Sequence, residues 1–243
     1  MNARNWLPNR AWRAVVLTLL LAALAGVAAV WLRTVHWPVE VVRIDGEMRH
    51  TDGGELEQVV TAHVQAGFFA TELRTLRREL IELPWVRDAT LRRVWPNRIE
   101  VEIREHAAAA VWNEDALVSQ RGQVFRPDEI TAEGLPRLVG PSGQAGKMLA
   151  YLATLDLRLQ SVGLAVAAVK QDERRSWTVE LDDGIEFRLG RSSIDARLDR
   201  LLRVWYQAVA GQREQVRAVD LRYPNGFAIA WRDEANPSTE GGA

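Results

Sequence analysis

Nineteen consecutive residues without a charge, Ala14 to Leu32 (AVVLTLLLAALAGVAAVWL), constrain this chain more than any other feature. As a helix the run is about 28 Å long at ~1.5 Å per residue, close to the roughly 30 Å hydrocarbon thickness of a bilayer. A cleaved signal peptide is the competing reading, because Ala23-Leu24-Ala25 offers a small-x-small cleavage pattern. The apolar run continues well past that point, and Trp12 and Trp31 sit near its two edges, where aromatic rings favour the membrane interface. An uncleaved span over residues 14–32 is therefore expected. Arg4, Arg10 and Arg13 precede it without an acidic residue, which assigns the tail 1–13 to the cytoplasm and everything from about Trp37 to the other side. In a Gram-negative bacterium that is a single-pass inner-membrane protein with a periplasmic bulk. One span has no pathway for ions or substrates, so it reads as an anchor.

Nearly half of the residues are hydrophobic and the formal charge is −1, so the exported part can bury a core and is not drawn to polyanions by net charge. No stretch concentrates basic residues with interleaved aromatics, and nucleic acid is not expected as a partner. The absence of cysteine excludes disulfides, thiolate metal sites and a cysteine nucleophile. His36, His50, His63 and His106 lack metal-ligand spacing, so no metal or cofactor is expected.

The chemistry of an enzyme is also hard to place. Gly140 to Met148 (GPSGQAGKM) resembles a phosphate loop, but Gly140 is one residue too far from Gly146-Lys147 and Met148 stands where a hydroxyl is needed. It reads as a loop entering a helix. Asp182-Asp183 fall in a hairpin turn and Glu100 and Glu102 on the wet face of a strand. Ser161, Ser176, Ser192 and Ser193 have no evident base.

Beyond the span the periodicities define an α+β chain. VEVVRIDG reads as a strand ended by Asp45-Gly46, followed by helices over Glu55–Ala66 and Thr71–Leu83, with Thr51 and Asp52 as capping candidates for the first. A hairpin turning at Trp95-Pro96-Asn97 follows, in which Ile99, Val101 and Ile103 face inward. The order is β-α-α-β-β over residues 38–106. Residues 107–233 read as a mixed β-domain with two flanking helices. Two or three short strands turn at Gly122, and a hairpin runs from Trp177 to Leu189 around Asp183-Gly184. The helices cover about Lys147–Val162, with Leu149, Leu152, Leu155 and Leu159 on one stripe, and about Ser193–Ala210, with Gly211 as its cap. Residues 234–243 have the composition of a disordered tail.

The last patterned stretch, Val219 to Trp231 (VDLRYPNGFAIAW), reads as strand, tight turn, strand. Val219, Leu221 and Tyr223 alternate with polar residues, Pro224-Asn225-Gly226 turns the chain, and Phe227, Ile229 and Trp231 alternate with alanines.

Leu83 to His106 (LPWVRDATLRRVWPNRIEVEIREH), Trp112, LVSQRGQVF, LPRLVGP, RRSWTVELDDGIEFRLGR and VDLRYPNGFAIAW together resemble the FtsQ/DivIB family of bacterial cell division proteins. The likeness covers nearly the whole chain; Ala107–Ala110 depart from it where the family often has a proline. It implies a POTRA domain for the β-α-α-β-β part, no enzymatic activity, enrichment at the division septum, and a scaffold role in binding FtsB-like and FtsL-like proteins. Carried over by position, it also implies partner contacts at Arg174, Arg222, Tyr223, Asn225, Gly226, Phe227 and Trp231. The physical mode would be strand addition at an unpaired sheet border. Bland readings compete: Tyr223 and Trp231 as core aromatics, Arg222 as a solvated charge, Phe227 as core or interface. A POTRA-bearing secretion or outer-membrane assembly chaperone is the rival function, and a membrane-anchored cell-wall hydrolase a more distant one.

Overall fold

The computed structural model describes residues 9–34, 37–130 and 133–232. The first eight residues and the expected tail at 234–243 lie outside that set, as does the side chain of Trp31. Two compact units are present, one running to Leu83 and including Asp88–Arg104, the other formed by Pro84–Arg87 and everything from Glu105.

The first unit begins with α1 (Asn9–Thr34), which contains the uncharged run. Among the described residues nothing covers its apolar stretch Trp12–Val30, as a membrane-crossing helix requires. Then come β1 (Val41–Asp45), α2 (Gly53–Val64), α3 (Leu73–Glu82), β2 (Val86–Val94) and β3 (Arg98–Glu105), the β-α-α-β-β order read from the sequence. β3 lies between the other two strands, parallel to β1 with Val41 opposite Arg98 and Asp45 opposite Glu102. Of the two capping candidates Asp52 does the work: its carboxylate accepts from the Gly54 N–H at 2.8 Å. Helical spacing puts Leu56 and Val60 on one side of α2 and Leu76 and Leu80 on one side of α3, and alternation puts Ile99, Val101 and Ile103 on one face of β3. All seven are buried, each contributing at most about 1.5–3 kcal/mol.

The second unit holds β4 (Ala108–Trp112), β5 (Ala116–Ser119), β6 (Val124–Phe125), β7 (Arg137–Val139), α4 (Ala145–Gln160), β8 (Val166–Gln171), β9 (Trp177–Leu181), β10 (Glu186–Gly190), α5 (Ile194–Ala208), a short 3₁₀ helix (Ala210–Gln215), β11 (Val216–Asp220) and β12 (Ala228–Trp231). The strands make one nine-stranded mixed sheet in the order β12-β11-β10-β9-β8-β7-β4-β5-β6. Neighbours run parallel at β4–β7, β7–β8 and β10–β11 and antiparallel elsewhere. The main core joins Met148, Leu152, Leu155 and Leu159 of α4, Leu198, Leu201 and Trp205 of α5, and strand residues such as Leu138, Val169, Phe187 and Val219. Alternation in β4 sends Ala110 and Trp112 to that core and Val111 into a second cluster with Leu117, Phe125 and Trp85.

Several local expectations change. Met148, not Leu149, joins Leu155 and Leu159 as a fully buried residue of α4, and Leu149 is half-buried. Gly211 does not cap α5; the helix ends at Val209 and Gly211 lies inside the 3₁₀ turn without a positive φ. β7 and β8 are inner strands that no apolar-polar alternation marks. The alanines from Ala108 extend β4 and pair with β5.

Candidate partner-binding site

β11 is held firmly. Val216, Ala218 and Val219 are buried, and the parallel ladder to β10 extends one residue beyond the strand, where Leu221 N–H donates to the Arg188 carbonyl at 2.9 Å. The strand then stops. The Asp220 carboxylate accepts from the backbone N–H of Arg222 at 3.0 Å and from its guanidinium Nη2 at 2.6 Å, a local bond that replaces the ladder. Pro224, which has no N–H, discourages continuation. The strand expected from Val219 to Tyr223 therefore runs from Val216 to Asp220, and the tight turn becomes a wider connection over Leu221–Phe227. Neither Asn225 nor Gly226 adopts a positive φ, so no primed hairpin turn forms, and a Cβ at Gly226 would meet nothing within 4 Å. Arg200 of α5 donates to the Tyr223 carbonyl at 3.3 Å and tethers the connection.

β12 forms the border of the nine-stranded sheet; among the described residues its strand partner is β11 alone. At its end Arg232 N–H donates to the Gln215 carbonyl at 2.6 Å. Counting back by the two-residue alternation of a ladder turns the N–H groups of Ile229 and Trp231 to the side away from β11. Phe227 and Ile229 are half-buried against the main core. Trp231 is 43% exposed and Tyr223 55% exposed, so neither is a core aromatic, and Asn225 is exposed beside them.

Arg174 lies in the β8–β9 turn, which Asp172 shapes by accepting the Ser176 N–H on its carboxylate at 2.7 Å and the Arg175 N–H on its carbonyl at 2.9 Å. The fold brings Arg174 and Arg222 into one cleft of about 420 Å³, with Arg191 and Arg197 as further cationic walls. Arg191 and Arg197 are additions that the sequence reading missed: Arg191 closes the quoted stretch RRSWTVELDDGIEFRLGR without being singled out, and Arg197 is one of several arginines in α5. Gly190 makes the cleft possible: its φ is +80°, and a Cβ there would lie 2.6 Å from Arg197 Nη1 and 3.2 Å from Arg222 Cγ. Hydrogen bonding from Arg222 holds the Asp220 carboxyl below the usual carboxylate range despite some burial. Asp172 also lines the cleft, the Arg222 guanidinium is engaged by Asp220 and Arg197 Nη1 donates to the Leu189 carbonyl at 2.7 Å, but four arginines against one carboxylate leave the concavity cationic, which suits a carboxylate on an incoming chain.

The chain matches the family described as POTRA domain, FtsQ-type, over residues 37–106, and that described as Cell division protein FtsQ/DivIB, C-terminal, over residues 110–222. It is 37% identical to the Cell division protein FtsQ of Thioalkalivibrio sp. (strain K90mix) over 83% of this chain and 84% of that protein. The chain belongs to the FtsQ/DivIB family. The Allochromatium vinosum FtsQ is 35% identical over 95% of this chain and 92% of its own length, and that of Coxiella burnetii 32% identical over 81% of each. The C-terminal FtsQ/DivIB match ends at Arg222, so five of the seven expected contact residues, Tyr223 to Trp231, lie beyond it.

Proposed function

We propose that this FtsQ-family chain is a non-enzymatic scaffold of the division machinery, held in the inner membrane by α1 with its N-terminus in the cytoplasm and its two folded units in the periplasm. It gathers at the septum, where binding FtsB-like and FtsL-like proteins helps regulate septal peptidoglycan synthesis. The partner adds a strand to β12. Its backbone supplies the missing ladder bonds, while side chains select it: an acidic residue toward Arg174 and Arg222, and apolar ones against Tyr223 and Trp231. Asn225, Gly226 and Phe227 shape the approach to the border strand. The observation that carries this reading is the position of β12 at the sheet border with two exposed aromatics beside it.

The test is co-purification of the full chain with its FtsB-like and FtsL-like partners in detergent. Trp231→Ala, Tyr223→Ala and Arg174→Glu are each expected to weaken capture while preserving the far-ultraviolet circular dichroism and melting temperature of the chain. Undiminished capture by a Trp231→Ala/Tyr223→Ala double variant would remove the border strand from the reading.

A further inference from the structure

A second set of exposed aromatics gathers where the chain leaves α1. Trp37 stands three residues after Thr34, a distance of at most about 11 Å for an extended chain. Two other segments are tied to this exit. In the α2–α3 connection, Phe68 N–H donates to the Trp37 carbonyl at 2.8 Å, and the Phe69 ring meets the Trp37 ring edge-on with centroids 6.0 Å apart. At the tip of the β2–β3 hairpin, Asn97 accepts from the Glu40 N–H at 3.1 Å on its carbonyl and donates to the Glu40 carboxylate from its side chain. Arg93 staples the two segments together, donating from Nε to the Phe68 carbonyl at 2.9 Å and from Nη2 to the Thr71 carbonyl at 2.5 Å. The result is a braced platform with Phe69 63% exposed and Trp95 73% exposed.

Large apolar side chains this bare are costly in water, and single instances on a surface are ordinary. Here two of them share one end of the domain, and only two residues separate Trp37 at that end from a bilayer-spanning helix. Aromatic rings partition to the headgroup layer, where apolar faces and polar edges are both accommodated. We propose that Phe69 and Trp95 insert into the interfacial layer of the bilayer at the end of α1, so that the POTRA domain rests on the lipid surface. This goes beyond strand addition at β12 and shares with it only the anchor.

The chain has no cysteine, so one introduced thiol gives one label. Ala70→Cys, beside Phe69, and Gly53→Cys, at the start of α2 where a Cβ meets nothing within 4 Å, carry an environment-sensitive fluorophore in the full chain. Each is reconstituted in phosphatidylethanolamine and phosphatidylglycerol vesicles containing lipid with a nitroxide near the headgroup in both leaflets. Quenching at position 70 and not at 53 is expected, with loss of the position-70 quenching when Phe69→Ser and Trp95→Ser are added. Equal quenching at 70 and 53, in vesicles that retain the chain through alkaline extraction, would overturn the proposal. Release of the chain by that extraction would overturn the anchor as well, so the two failures are distinct.

Discussion

Arg222 folds back onto Asp220, its Nε lying 2.9 Å and 3.0 Å from the two carboxylate oxygens and its Nη2 2.6 Å from the second. One ion pair thus ends β11 and aims a guanidinium stem over the arginine cleft. Because Arg222 lowers the folded-state pKa of Asp220, the stability it brings is present above the unfolded value of 3.8 and is lost as pH falls through that value toward the folded one. Asp220→Asn is expected to cost about 1 kcal/mol at neutral pH, discounted for the exposed arginine. It should also flatten the loss of stability below pH 3.8, measured by urea unfolding at several pH values.

Gly190→Ala places a methyl group against Arg197 and Arg222 on a backbone with φ +80°. The arginine ends can move aside, while the backbone strain remains, so a loss of about 1–2 kcal/mol is expected. Displacement of Arg222 should also weaken partner capture more than the stability loss alone accounts for. Thermal melting beside the co-purification assay separates the two effects.

In the first unit Gly46 has the tighter constraint. Its φ is +146°, and a Cβ would lie 2.3 Å from the backbone carbonyl oxygen of Ile103. No flexible side-chain end is available to yield, so Gly46→Ala is expected to cost about 2–4 kcal/mol, at the upper end of single-residue effects. Protease resistance of the segment 38–106 within the full chain reads the outcome.

His106 stacks on Phe125 with centroids 4.5 Å apart, and its Nδ1 is buried without a hydrogen-bond partner among the described residues. Burial first, then the charge of Arg87, lowers its pKa below the ordinary 6.5. The folded state therefore favours the neutral ring, and stability is fully present above the unfolded value and declines as pH falls through it. His106→Phe keeps the stack and is expected to reduce the decline between pH 7 and 5. Urea midpoints across that window, wild type against variant, provide the measurement.

Much of this architecture was legible before any coordinates. The uncharged run marked α1, alternation marked β3, β9 and β10, and spacings of three and four marked α2, α3, α4 and α5. Each pattern reports the burial of one face of one element, which is a local property. The site was legible only in part. Likeness to FtsQ/DivIB proteins singled out Arg174, Arg222, Tyr223 and Trp231, but nothing in the residue order revealed Arg191 and Arg197 as walls of the same cleft. The alternation through Tyr223 suggested a strand, and the capture of Arg222 by Asp220 ended it three residues sooner.

By itself the sequence determined which segments form helices or strands, which of their faces must be buried, and that an apolar helix long enough to cross a bilayer precedes two folded units. Only the tertiary structure decided that β10 lies parallel to β11, that β7 and β8 run through the middle of the sheet, and that β12 ends at its border. The physical reason is that periodicity records how much of a strand is hidden but not what hides it. Strand neighbours are chosen by the joint burial of distant segments, and the border position of β12 and the cleft between Arg174 and Arg222 exist only once that choice is made.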